Sequence, residues 1–325
     1  MENFNHSSSQ TSDQAPSNSY QSVSMGIIVF ETLLGSLANG FMVLKNLLDL
    51  MSHGHLGSCD YLLIGLGLSR FAFLWVLFIS YLMNFLQSSL GATSILSLFL
   101  VFNNTSLWFA TWLCVFYCIR IVDIQNRVFV FFKRNFDRCL PVFFVISIVM
   151  SLVSSLPILY GGVFDRASSQ NSSRGIQSAM PFSSTNTVLL LEISSVGSIF
   201  PFLIFSVAAW LVVMSLWKHT IKMKKQEQSS FKKPSLEAHY GAAKAVANFF
   251  LFYTIFVLFF NLYQARVLSP ESIGGCLCTM FIGSYPSVHS LLLVYQNNKL
   301  HKTLVTFFPK WLCCYQEDTN DSQTN

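Results

Sequence analysis

Seven blocks of apolar residues, each near the length of one hydrocarbon crossing, alternate along the chain with short polar or turn-rich stretches. The blocks run approximately over residues 23–48, 61–86, 94–122, 139–161, 187–217, 239–264 and 271–295. A bilayer core is crossed by about 20 helical residues, and a crossing segment must satisfy its own backbone hydrogen bonds. The pattern therefore predicts seven transmembrane helices, with residues 23–297 as one membrane domain. Ten-residue stretches of alternating polarity, which would indicate a barrel, do not occur. Beyond the last block, Leu300, Leu304, Phe307, Phe308 and Trp311 recur at helical spacing, with Lys299, Lys302 and Lys310 elsewhere. This predicts an amphipathic helix over 298–312 on the membrane surface, followed by a cytoplasmic tail over 313–325. Residues 1–22 are polar and free of Lys and Arg. They read as an extracellular segment with no secretory signal, so the first helix is expected to insert uncleaved.

Composition and charge sharpen this picture. The chain has 325 residues, 52% of them hydrophobic and only 11% charged, against about 25% charged in a soluble domain. The net charge of +5 is not a basic groove for nucleic acid, because sixteen of the twenty Lys and Arg residues fall at one set of alternate connections. That asymmetry predicts an outer N-terminus and an inner C-terminus. Two glycosylation sequons, at Asn5 and Asn171, fall on the predicted outer side. Asn103 and Asn104 also begin sequons but lie within the third block, where modification is not expected.

Ionisable residues at membrane depth are costly and mark functional or structural networks. Here they are Glu31, Arg70, Glu192 and His289. With Asn39, Asn46, Ser69, Ser287 and Ser290 they suggest an internal polar cluster joining the first, second and seventh helices. Such a cluster is either a fixed clasp or a switch that rearranges on activation. Ser36–Gly40 and Gly65–Ser69 are small-residue pairs suited to close helix packing. Cys114, Cys118 and Cys139 read as apolar fillers. Cys313 and Cys314 are either palmitoylated or an unmodified pair. No catalytic triad, zinc-binding helix or phosphate-cradling loop is present, and nothing calls for a metal or cofactor.

Several stretches, in order along residues 25–305, together resemble the bitter taste receptors (type 2 taste receptors). They are Asn39-Gly-Phe, Leu66-Gly-Leu-Ser69-Arg70, the third-block run from Trp108 to Ile121, Pro201-Phe202, and Ser215-Leu-Trp-Lys-His219-Thr. His239, Lys244, Phe250-Leu-Phe-Tyr253, Tyr285-Pro-Ser-Val-His289-Ser290 and Asn298-Lys299-Leu300 complete the set. The acidic-Arg-Tyr and Asn-Pro-x-x-Tyr motifs usual in rhodopsin-like receptors are replaced by Tyr117-Cys118-Ile119-Arg120 and Pro286-Ser-Val-His289-Ser290. Two positions depart from the family pattern: Arg120 stands where Lys is usual, and Phe99 where many members have Trp.

The resemblance implies a multi-pass plasma-membrane receptor that is not an enzyme. It implies a cavity in the outer half of the bundle for small, mostly apolar bitter agonists, and signalling through a heterotrimeric G protein of the gustducin or inhibitory class. The lining expected from the family is Tyr81, Asn84, Phe99, Phe102, Asn103, Tyr253, Phe256, Phe260, Thr279 and Ile282; the same aromatics could serve packing alone. Tyr117, His289 and Ser290 join Asn39 and Arg70 as the expected activation or packing network. Arg120, His219, Lys222, Lys224 and Lys244 form the expected G-protein-facing rim. A transporter, a ligand-gated channel and another chemosensory seven-helix receptor are the alternatives.

Overall fold

The computed structural model describes residues 9–86, 91–122, 126–171, 185–226, 234–264, 267–268 and 272–306, with side chains excepted at 9–18, 128, 161–171, 185–196, 219–220, 222–226, 234–246 and 264. The elements are α1 (Ser9–His53), α2 (Ser58–Phe85), α3 (Ala92–Ile121), α4 (Arg127–Asn171), α5 (Thr185–Gln226), α6 (Pro234–Gln264) and α7 (Ile273–Gln296). A short α8 follows over 298–306, and no strand occurs among the described residues. Each helix packs on its neighbour in sequence, and α7 closes the ring against α1. The central helix is α3, which touches α2, α4 and α5.

The helices overrun the predicted crossings at several ends. The stretch 123–138, expected as a polar connection, is helical from Arg127 onward, and α4 continues to Asn171. Residues 218–226 likewise extend α5, and α1 starts within the polar segment 1–22. Hydropathy locates where a helix enters water, whereas the backbone ladder continues as long as the residues tolerate it, and Lys, Arg and Gln tolerate it well. Pro234 at the first position of α6 suits a site whose N–H has no helical partner.

An apolar exterior confirms the solvent. Along α4, Val142, Val145, Val149, Leu152 and Leu156 are all between 48% and 60% exposed, on the i, i+3, i+4 stripe that a soluble helix would bury. Six helices contain an apolar stretch long enough to cross a bilayer, and α6 carries a shorter one, Ala247–Tyr263, among the described residues.

Polar bonds join the helices inside. Asn104 Nδ2 donates to Ser154 Oγ (2.7 Å) and Trp112 Nε1 to Ser147 Oγ (2.9 Å), tying α3 to α4. Thr111 Oγ1 donates to the Pro201 carbonyl (3.0 Å), tying α3 to α5. Both sequon residues within the third helix, Asn103 and Asn104, are 1% exposed.

The small-residue contacts differ in part from expectation. On α1 the close approach is at Gly35, where a Cβ would collide with Leu74 of α2 and Ser287 of α7, while Gly40 has nothing within 4 Å. On α2, Gly65 does face Phe109 and Phe144, and Gly67 lies against Val43. A motif search offset by one residue rotates the face by about 100°, which is why the Ser36–Gly40 pair misses the seam.

Candidate functional site

Two stacked layers occupy the bundle centre. The first is aromatic. Phe99 of α3 stacks on Phe260 of α6 (centroids 5.9 Å) and leans on Phe73 of α2 (5.1 Å). Phe256 packs on Phe260 at 5.5 Å and on Tyr285 of α7 at 4.6 Å. Tyr253, one turn along α6, also stacks on Tyr285, at 5.8 Å. Ile282 belongs to the same cluster and Phe102 packs against its edge. Tyr253, Phe256 and Phe260 are at most 1% exposed, so α6 turns one continuous aromatic face inward.

Among the other expected lining residues, Tyr81 of α2 and Thr279 of α7 place their hydroxyls 2.6 Å apart, while Thr279 donates to the Gly275 carbonyl. Tyr81 therefore supplies the proton between them. Asn103 is buried, and its Nδ2 has no partner among the described residues. Asn84 is exposed near the end of α2, apart from this layer.

The second layer is polar and centres on Arg70, fully buried on α2. Nη1 donates to Ser290 Oγ at 3.1 Å and Nη2 to Tyr285 Oη at 3.1 Å. Ser290 has one proton to offer, and both Asn39 Oδ1 and the Pro286 carbonyl lie 2.7 Å away. Asn39 Nδ2 returns to its own helix at the Gly35 carbonyl (2.8 Å). The guanidinium also lies 5.0 Å from the Tyr285 ring centre, within cation–π range. No carboxylate pairs with Arg70 among the described residues, so hydroxyl and π-electron density take the role of counter-charge. Above this, Ser287 Oγ donates to the Glu31 carbonyl oxygen (2.8 Å), a second link from α7 to α1.

The expected network is thus only partly contiguous. Ser290 joins Asn39 to Arg70. His289 instead stacks between Phe249 of α6 (3.8 Å) and Tyr285 (5.6 Å). Tyr117 lies apart, its hydroxyl 3.7 Å from Cys59 Sγ. Arg120 is exposed at the end of α3, with its guanidinium over Phe116 at 5.2 Å. The side chains of His219, Lys222, Lys224, Lys244 and Asn171 lie outside the described residues, as do Asn5, Cys313 and Cys314.

Sequence reasoning missed two joints. Tyr285 is the shared residue of both layers, and its period along α7 carries no signal of that role. The second joint lies at the membrane edge, where Lys299 of α8 bridges Asp49 of α1 (2.9 Å) and Asp60 of α2 (3.0 Å). Lys45 joins Asp49 from the other side at 2.5 Å. Partial burial works to lower the Lys299 pKa, but the hydrogen bonds and charges of Asp49 and Asp60 outweigh it and raise the group above the ordinary lysine value.

Comparison with known proteins now decides the family. Residues 17–311 match the family model described as Taste receptor protein (TAS2R). The chain belongs to this family. It is 31% identical over 298 residues to taste receptor type 2 member 119 of Mus musculus, covering 89% of this chain and 85% of that one. It is 28% identical to taste receptor type 2 member 40 of Gallus gallus, covering 89% and 94%. In structure it is similar to squid rhodopsin, with a TM-score of 0.59, 16% identity and coverage of 96% of this chain and 93% of that one. The receptor is therefore a seven-helix, multi-pass plasma-membrane protein of the bitter taste class of G-protein-coupled receptors, and not an enzyme.

Proposed function

We propose that the receptor binds small, mostly apolar bitter compounds at the aromatic layer and relays their binding to a gustducin-type or other inhibitory-class G protein. The observation that carries this reading is the double role of Tyr285. Its ring packs on Phe256 and Tyr253, while its hydroxyl accepts from Arg70. A ligand that parts Phe99, Phe256 and Phe260 cannot leave the Tyr285 ring where it is, and a shift of that ring alters the bonding of Arg70. The Asn103 amide, buried without a partner among the described residues, supplies a donor for a ligand carbonyl or ether, since leaving it unmet is costly.

The relay is a population shift: an agonist favours the bundle arrangement it binds better. In this reading the N-terminus is outside, following the Lys and Arg asymmetry. The ends carrying Lys45, Arg120, Arg127 and Lys299 then face the cytoplasm, with Arg120, His219, Lys222, Lys224 and Lys244 around the G-protein opening. Residues 1–22 form the outer segment, with sugars on Asn5 and Asn171. Residues 298–312 lie on the inner leaflet, where palmitates on Cys313 and Cys314 add to the anchorage.

The test is intracellular calcium in cells expressing the receptor with a promiscuous gustducin-type α chimera, challenged with a bitter panel. A dose-dependent rise that vanishes without the chimera is expected. An agonist-gated ion current independent of any G protein would replace the reading with a channel.

A further inference from the structure

The first three turns of α4 carry a feature that neither layer uses. Arg127, Arg134 and Arg138 line one groove of about 570 Å³ together with Val130 and Phe131. All three arginines are exposed, and none has an ion-pair partner among the described residues. The neighbouring carboxylate, Asp137, is engaged by the Ser58 hydroxyl of α2 and does not line the groove. Val130 and Phe131 stand 51% and 58% exposed among the guanidinium groups. By helical spacing the arginine row runs on directly into Val142, Val145, Val149, Leu152 and Leu156, the exposed apolar stripe of the same helix. A basic patch that continues into a hydrocarbon-facing stripe fits one amphiphile lying along α4, with an anionic head on the arginines and its tails on the valines and leucines.

Length selects the head. From Arg127 to Arg138 the helix rises about 16 Å at roughly 1.5 Å per residue. One headgroup layer is only about 5–7 Å thick. A single phosphodiester at the membrane surface reaches one or two of the arginines; phosphates that project beyond that layer reach all three. We propose that the inner end of α4 binds a multiply phosphorylated inositol lipid, its phosphates held by Arg127, Arg134 and Arg138 and its chains by the apolar stripe. A G-protein surface is the competing occupant. The unbroken passage from arginine to lipid-facing valine favours the lipid.

The test is native mass spectrometry of the purified full-length receptor titrated with phosphatidylinositol bisphosphate, phosphatidylserine and soluble inositol trisphosphate. Since the lipid reaches every face of a detergent-solubilised receptor, the outcome is independent of orientation and of agonist. Tighter binding of the bisphosphate lipid than of either comparator is expected. Arg134→Gln with Arg138→Gln should weaken it by about fivefold per arginine, whereas Lys302→Gln, an exposed charge on α8, should leave it unchanged. Equal binding of the two lipids, equal binding of the soluble trisphosphate, or equal weakening by Lys302→Gln would overturn the proposal. So would a double variant that keeps wild-type lipid binding but couples poorly to G protein in phosphatidylcholine bilayers, since that assigns the face to protein. Should the double variant fail to fold, photo-crosslinking of a phosphoinositide to the wild-type receptor decides: labelled peptides within 127–138 support the site, and labelling only elsewhere refutes it.

Discussion

Asn103 and Ser290 show how single polar atoms in hydrocarbon carry opposite consequences. Asn103 holds a buried donor with no partner among the described residues, so Asn103→Leu removes an unmet group. The variant should be as stable as the parent or about 1 kcal/mol more so, yet lose about tenfold in potency for agonists bearing a hydrogen-bond acceptor. Thermal unfolding in detergent and calcium dose–response curves check the two halves. Ser290 is saturated: it accepts from Arg70 and offers its proton to Asn39 and Pro286. Ser290→Ala leaves Arg70 Nη1 and Asn39 Oδ1 buried without that partner, and should cost about 1–3 kcal/mol in the same unfolding experiment. An unshifted transition would show that the cluster reorganises without loss. The sequence made Arg70, Asn39 and Ser290 visible because a charge or amide at membrane depth has few harmless explanations. Tyr285 was hidden, since in a chain with 11 Tyr and 32 Phe nothing in periodicity separates a pivotal ring from a packed one.

Helix seams obey a different logic, in which backbone proximity decides. Gly35 has no room for a methyl group between Leu74 and Ser287. Gly35→Ala should force α1 away from α2 and α7 and cost about 1–3 kcal/mol, measured as reduced surface expression and a lowered unfolding temperature. The same substitution at Gly40, where the space is open, should be neutral and serves as its control. At the membrane edge, Lys299 holds α8 against α1 and α2 through Asp49 and Asp60. Its pKa is raised on folding, so its stabilising effect is complete below the unfolded lysine value of 10.5 and fades only as pH climbs through the higher folded value. Hydrogen exchange over 298–306 should therefore show intrinsic pH dependence alone between about pH 6 and 9. Lys299→Met should raise exchange there throughout that range, by leaving two carboxylates facing each other. Crossing positions were legible from hydropathy. Helix ends and the Asp49–Lys299–Asp60 joint were not, because polarity marks the water boundary and says nothing of which surface charges converge.

At the scale of the whole molecule, the bundle places ligand chemistry and signalling chemistry on one continuous column of side chains. Seven apolar blocks dictated seven helices, and the ordered motifs dictated the family; the superposition of the aromatic and polar layers on Tyr285 needed the three-dimensional arrangement. The central claim is that Tyr285 couples the two layers. The most direct measurement is G-protein activation by Tyr285→Phe, which keeps the ring but removes the acceptor for Arg70, compared with wild type at matched surface expression. The account predicts agonist-independent activity several-fold above wild type, with a smaller further rise on adding agonist. Basal activity and agonist response both equal to wild type would contradict it, and would reduce the Arg70–Tyr285 contact to packing.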